Sequence, residues 1–165
     1  MPRMDRIKPP MLGGLIAAAI IVVDQIVKMW ILYGIELPIR RTIEVLPFFS
    51  LTMVENRGVS FGMLQADGWG RWLLSAFALG VAAMLAWWLR QTERRTLALG
   101  LGLVIGGAIG NLIDRVTRGY VIDFFDFSDL YFPYVFNIAD AAISIGVAFL
   151  LLDFVLNNDE TEKKA

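Results

Sequence analysis

Two aspartates in this sequence stand where a carboxylate is costly. Asp140 falls in FNIADAAISIGVAFLL, which reads as about two turns inside an apolar helix, on one face with Asn137 and Ser144 by three- and four-residue spacing. Asp123 falls in YVIDFF, with apolar residues on both sides. A buried carboxylate must find a polar partner or stay protonated. Two that face one another share a proton, so that one activates water as general base while the other protonates a carbonyl or a leaving amine. Such a pair suits peptide hydrolysis and titrates as a unit. The short chain between Asp123 and Asp140 can return the first to the depth of the second, although Asp123 alone reads more readily as a solvent contact on an edge strand.

The rest of the catalytic repertoire is thin. The chain has no histidine and no cysteine. That excludes a Ser-His-Asp triad, a Cys-His dyad, His-ligated zinc, disulfides and thiolate metal sites, and it leaves the redox compartment open. No metal and no cofactor is expected. A net charge of −1 provides no basic field for nucleic acid.

The elements that must hold these groups are set by composition. With 57% hydrophobic and 19% charged residues and a mean hydropathy of +0.61, the chain is too apolar for an ordinary soluble domain. A helix needs about 20 apolar residues to cross a hydrocarbon core of roughly 30 Å, and four windows qualify: 11–33, 72–89, 96–113 and 134–154. The expected fold is an all-α integral membrane protein, one domain over 1–165, with four transmembrane helices and a small β-rich extracytoplasmic segment between helices 1 and 2. The basic start resembles a secretory leader, but the apolar run passes Asp24 and Lys28 and continues to Tyr33, so a membrane span is expected in its place.

Four spans put both termini on one side. Arg3, Arg6, Lys8, Arg90, Arg94, Arg95, Lys163 and Lys164 outnumber Arg40, Arg41, Arg57, Arg71, Arg115 and Arg118, so the termini are expected in the cytoplasm. Residues 34–71 and 114–133 then face outward. TIEVLPFFSLTMVENRGVSFG is rich in β-branched and aromatic residues, with Phe49, Leu51 and Met53 alternating against Ser50, Thr52 and Val54, and RGYVIDFFDF has the same character. Both read as short strands at the membrane surface. Gly102, Gly106 and Gly110 form a small-residue ridge for close helix packing, inside the bundle or between copies.

The other polar groups each admit two readings. An ionisable residue at membrane depth costs at least ~2.5–3.5 kcal/mol on insertion scales. Asp24 and Lys28, four residues apart on one helix face, form a buried ion pair or orient a nearby catalytic group. Asn111, Asp114 and Arg115 close GGAIGNLIDR, where Asp114 and Arg115 can satisfy loop backbone and each other. Two rival chemistries use the same residues: a proton-coupled transporter relaying through Asp24 and Asp140, and a Ser-Lys hydrolase using Lys28 with Ser60 or Ser144.

Taken together, DQIVK (24–28), ENRGVSFG (55–62), GGAIGNLIDR (106–115), VIDFFDF (121–127) and FNIAD (136–140) resemble lipoprotein signal peptidase, also called signal peptidase II. The segments span nearly the whole chain in family order. The resemblance implies a bacterial inner-membrane, multi-pass aspartic endopeptidase with Asp123 and Asp140 as catalytic pair and its site near the outer face. It also implies supporting roles for Asp24, Lys28, Asn56, Asn111, Asp114, Arg115 and Asn137, with a glycine-permitted turn at Gly58. The implied substrate is a diacylglyceryl-modified prolipoprotein, cut just before the lipidated cysteine by a monomeric enzyme surrounded by membrane lipid. One departure is Glu55, where the family often has an aromatic residue.

Overall fold

The structure, a computed structural model, describes residues 7–58 and 69–162, with the backbone alone for 158–162. Arg3, Arg6, Ser60, Lys163 and Lys164, used in the reading above, lie outside the described residues. Two prolines open helix α1 (Pro9–Met29), where a missing N–H costs no bond. A π-helical turn, Trp30–Gly34, extends it. There follow the short helix α2 (Leu37–Arg40), strands β1 (Thr42–Leu46) and β2 (Phe49–Asn56), helices α3 (Trp69–Gln91) and α4 (Arg95–Arg118), strands β3 (Val121–Phe127) and β4 (Phe132–Phe136), and helix α5 (Ile138–Glu162). Four of these helices are long and apolar enough to cross a membrane. Their exposed faces carry Val22, Ile26, Leu73, Phe77, Leu151 and Phe154, the surface a lipid solvent accepts.

α4 is the central helix. Buried residues make up 56% of its apolar window, against 22% for each of the other three. The glycine ridge explains how it can be so enclosed. A Cβ on Gly102 would lie 2.5 Å from the Gly13 carbonyl of α1, one on Gly106 would lie 2.9 Å from the Ala17 carbonyl, and one on Gly110 would lie 2.8 Å from Asp24 Oδ2. The ridge therefore seats α4 against α1 inside the bundle. Ala17, Leu85, Leu89, Ala98, Leu101 and Ile105 fill the core between these helices. At the far end from the sheet, Arg94 Nη1 pairs with Asp153 Oδ2 at 2.8 Å and ties the α3–α4 link to α5.

The sheet differs from the expected one. It is antiparallel in the order β1-β2-β3-β4, so half of it comes from the segment after α1 and half from the segment between α4 and α5. The expected position between helices 1 and 2 accounts only for β1 and β2, while β3 falls within RGYVIDFFDF, which also read as a strand. β3 therefore runs inside the sheet, and Ile122 and Phe124 bury against Ile31 and Leu37 to fix it to the end of α1. β4 occupies residues expected to begin the fourth span, so α5 starts later than the apolar run does.

Candidate active site

β3 and the start of α5 bring Asp123 and Asp140 into one polar network. Asp123 is 2% exposed, opposite Val54 of β2, and is not the solvent contact its flanking residues alone suggested. Its Oδ1 accepts from Asn137 Nδ2 at 2.7 Å and its Oδ2 from Asn56 Nδ2 at 3.0 Å. Asp140 Oδ1 accepts from Asn111 Nδ2 at 2.8 Å. Asp140 also sits in the first turn of α5, not two turns deep. There it forms a reciprocal cap with Asn137: the Asp140 N–H donates to Asn137 Oδ1 at 2.9 Å, and the Asn137 N–H donates to Asp140 Oδ2 at 3.2 Å.

A β-bulge decides which residue of β2 faces the pair. Leu51 lies opposite Phe125, but Val54 lies opposite Asp123 and Asn56 opposite Val121, a shift of one residue between Leu51 and Val54. Without that extra residue, alternation would turn Glu55 toward Asp123 in place of Asn56. Glu55 instead lies opposite Ile122 and pairs with Arg57 at 2.8 Å near the surface. Asn56 is held by the turn that follows, where the Gly58 N–H donates to its Oδ1 at 3.2 Å. Gly58 has φ +151°, a conformation that L side chains rarely adopt.

Beneath the pair lies a charged layer. Lys28 Nζ donates to Asp24 Oδ2 and Asp114 Oδ2, each at 2.8 Å, and to Asn111 Oδ1 at 3.1 Å, all fully or nearly fully buried. Its three donors are thus all engaged, which leaves no free amine for a Ser-Lys hydrolase. Ser144 donates to the Asp140 carbonyl of its own helix at 2.9 Å, and Ser60 lies outside the described residues. Asp24 Oδ1 also accepts from the Ala139 N–H at 3.0 Å, binding α1 to the N-terminus of α5. The same two residues that form the ion pair also hold the Asn111 side chain and the backbone at the start of α5.

Asp114 and Arg115 do not pair with each other. α4 continues past both and ends at Gly119, whose left-handed φ of +88° closes the helix. On the helix, Asp114 Oδ1 meets Arg118 Nη1 one turn on at 2.8 Å, and its Oδ2 accepts the Ile122 N–H at 3.3 Å, which anchors β3. Arg115, partly buried, lies within electrostatic reach of Asp140, Asp123 and Asp114. Gln25 and Arg118 join the network although neither was expected to. Gln25 Nε2 bridges Asp24 and Asp114, at 3.2 Å to each. The four-residue step from Asp114 to Arg118 was the available signal for the second.

The electrostatics set Asp123 apart. Burial raises its carboxyl from 3.8 to about 7, the like charge of Asp140 adds to the rise, and the Asn56 and Asn137 amides and the Lys28 charge oppose it. A carboxyl titrating near neutrality beside a second carboxylate is equipped to exchange protons with a reacting group.

Fold and site together define a class: a multi-pass membrane protein with a polar centre of carboxylates, amides and one lysine at the sheet-bearing end of its bundle. Comparison with known proteins narrows this. The chain belongs to the signal peptidase II family, whose model matches residues 16–156. It is 50% identical over 160 residues to a lipoprotein signal peptidase of Caulobacter vibrioides, covering 96% of this chain and 95% of that one. A lipoprotein signal peptidase of Beijerinckia indica is 44% identical over 147 residues, 88% of each chain. Two solved bacterial membrane enzymes share the fold, one with a TM-score of 0.78, 26% identity and 90% coverage of both chains. The other has a TM-score of 0.77 and 28% identity, covering 88% of this chain and 93% of that one.

Proposed function

We propose that this chain is an aspartic endopeptidase of the bacterial inner membrane that removes the signal peptide from diacylglyceryl prolipoproteins, cutting just before the lipidated cysteine. One observation carries the aspartic reading. Asn137 donates its side-chain N–H to Asp123 and its backbone N–H to Asp140, so a single capping residue ties the two carboxylates together. In the reaction, one carboxylate takes a proton from water as the water oxygen bonds the scissile carbonyl carbon. The other carboxyl gives its proton to the carbonyl oxygen. The resulting tetrahedral intermediate collapses with cleavage of the C–N bond, and the amine leaves with a proton returned by the pair. Neither metal nor cofactor enters this scheme.

The remaining supporting residues, Asp24, Lys28, Asn56, Gly58, Asn111, Asp114 and Arg115, hold the pair and the strand that carries it. Both termini are cytoplasmic, the sheet and the pair sit at the outer face beside membrane lipid, and the enzyme works as a monomer. A substrate anchored in the outer leaflet then meets the pair where water is available. The test is cleavage of a diacylglyceryl prolipopeptide by purified protein in detergent. Asp123→Asn and Asp140→Asn should each be inactive, and full activity in either would overturn the reading.

A further inference from the structure

We propose that Lys28 is a positioning residue that fixes which way the Asn111 amide points, and through it how Asp140 is hydrogen-bonded. This rests on the reading of Asp123 and Asp140 as the reacting pair. An asparagine amide has one end that only accepts and one that only donates, and a half-turn exchanges them. Three asparagines touch the pair, and each has its oxygen held by a group that can only donate. The Gly58 N–H holds Asn56 Oδ1 at 3.2 Å, the Asp140 N–H holds Asn137 Oδ1 at 2.9 Å, and Lys28 Nζ holds Asn111 Oδ1 at 3.1 Å. Each NH2 is thereby turned onto a carboxylate: those of Asn56 and Asn137 onto Asp123, and that of Asn111 onto Asp140.

The holders of Asn56 and Asn137 are backbone and survive any side-chain replacement. Asn111 Oδ1 is held by two side chains, Asn137 Nδ2 and Lys28 Nζ, each at 3.1 Å, and of the two only Lys28 is charged. Its ammonium has no acceptor, and Asp24 and Asp114 hold it in place at 2.8 Å each. A neutral side chain at position 28 that both donates and accepts would let Asn111 turn over. Asn111 Oδ1 would then face Asp140 Oδ1, two acceptors in contact unless that oxygen carries the shared proton. The same turn would break the bond from Asn137 Nδ2 to Asn111 Oδ1, now 3.1 Å, and disturb the amide on Asp123. Lys28 therefore acts on where the proton of the pair rests, without touching either carboxylate.

The decisive variant is Asp24→Asn/Lys28→Gln, which removes one charge of each sign and leaves Asp114 paired with Arg118 at 2.8 Å. With a diacylglyceryl prolipopeptide in detergent, KM should stay within about threefold of wild type. kcat should fall about tenfold or more, the scale of one net hydrogen bond, and the pH profile of kcat should move. In an Asn111→Ala background the same two changes should cause no further loss. Additive losses, or a wild-type kcat with an unmoved profile, would overturn the proposal. If that variant does not fold, Asn111→Asp decides: it still accepts from Lys28 but offers Asp140 no N–H, so kcat should fall as far as in Asn111→Ala, and wild-type kcat would overturn it. Asp123→Asn and Asp140→Asn measured alongside separate the two failures. Activity in either removes the reacting pair itself, whereas their inactivity with a wild-type Asp24→Asn/Lys28→Gln removes only the role of Lys28.

Discussion

Asn137 and Asp140 bond each other twice, backbone to side chain in both directions, at 3.2 and 2.9 Å. The cap that starts α5 and the carboxylate proposed to react are the same pair of residues. Fold and chemistry can still be separated at position 137. Asn137→Ser keeps an oxygen for the Asp140 N–H but loses the N–H groups given to Asp123, Asn111 and the Ile122 carbonyl. It should lose at least about 100-fold in kcat. Asn137→Ala should lose the same activity and about 1 kcal/mol more in stability, as read from thermal unfolding of the two purified variants.

Replacing either of the aspartates proposed to react, Asp123 or Asp140, by asparagine should lower prolipopeptide cleavage by at least about 10²–10⁴-fold, the range assigned to positioned acid-base groups. Ser144→Ala should cleave at the wild-type rate, because that hydroxyl serves only its own helix. Substrate-independent proton flux into liposomes, blocked by the Asp variants, would favour a transporter instead.

Cleavage should depend on pH through Asp123, whose carboxyl is raised from 3.8 to about 7. Its protonated form is the one the fold favours, so its contribution to stability is complete below about 4 and is lost as pH rises through about 7. The alkaline limb of the activity profile should fall near pH 7 as the shared proton leaves. Asp123→Asn cannot titrate, and its melting temperature should gain on that of wild type between pH 4 and 8. A constant difference across that range would contradict the assignment.

Asp24→Ala removes one partner of a fully buried pair and leaves Lys28 with Asp114 alone to balance it. The expected cost is about 3–5 kcal/mol. An unchanged melting temperature would show that the pair contributes nothing.

Chelation should leave the rate unchanged, since in the proposed mechanism the carboxylate pair activates water. Loss of activity with EDTA and recovery on adding a divalent cation would contradict this.

The sequence made the helices legible and the site only in part. Apolar windows located the spans because a lipid solvent demands length and hydropathy. The start of the last one was misplaced because Phe132–Phe136, aromatic and apolar, has no hydropathic mark separating a strand from a helix. That error put Asp140 too deep. Gly119 could have corrected the other misreading, that the third span stops at residue 113, since a glycine after Arg118 is a helix-end signal. The approach of Asn56 to Asp123 was out of reach, because it depends on a bulge whose parity only the paired strand reveals.

The sheet also has a history in time. β2 is made soon after α1, but its partner β3 appears only after two further membrane helices have been synthesised. A nascent or prematurely terminated chain carries Asn56 with no Asp123 to hold. On the proposed reading of Asp123 and Asp140 as the reacting pair, the centre stays incomplete until both have been synthesised, after three of the four long helices.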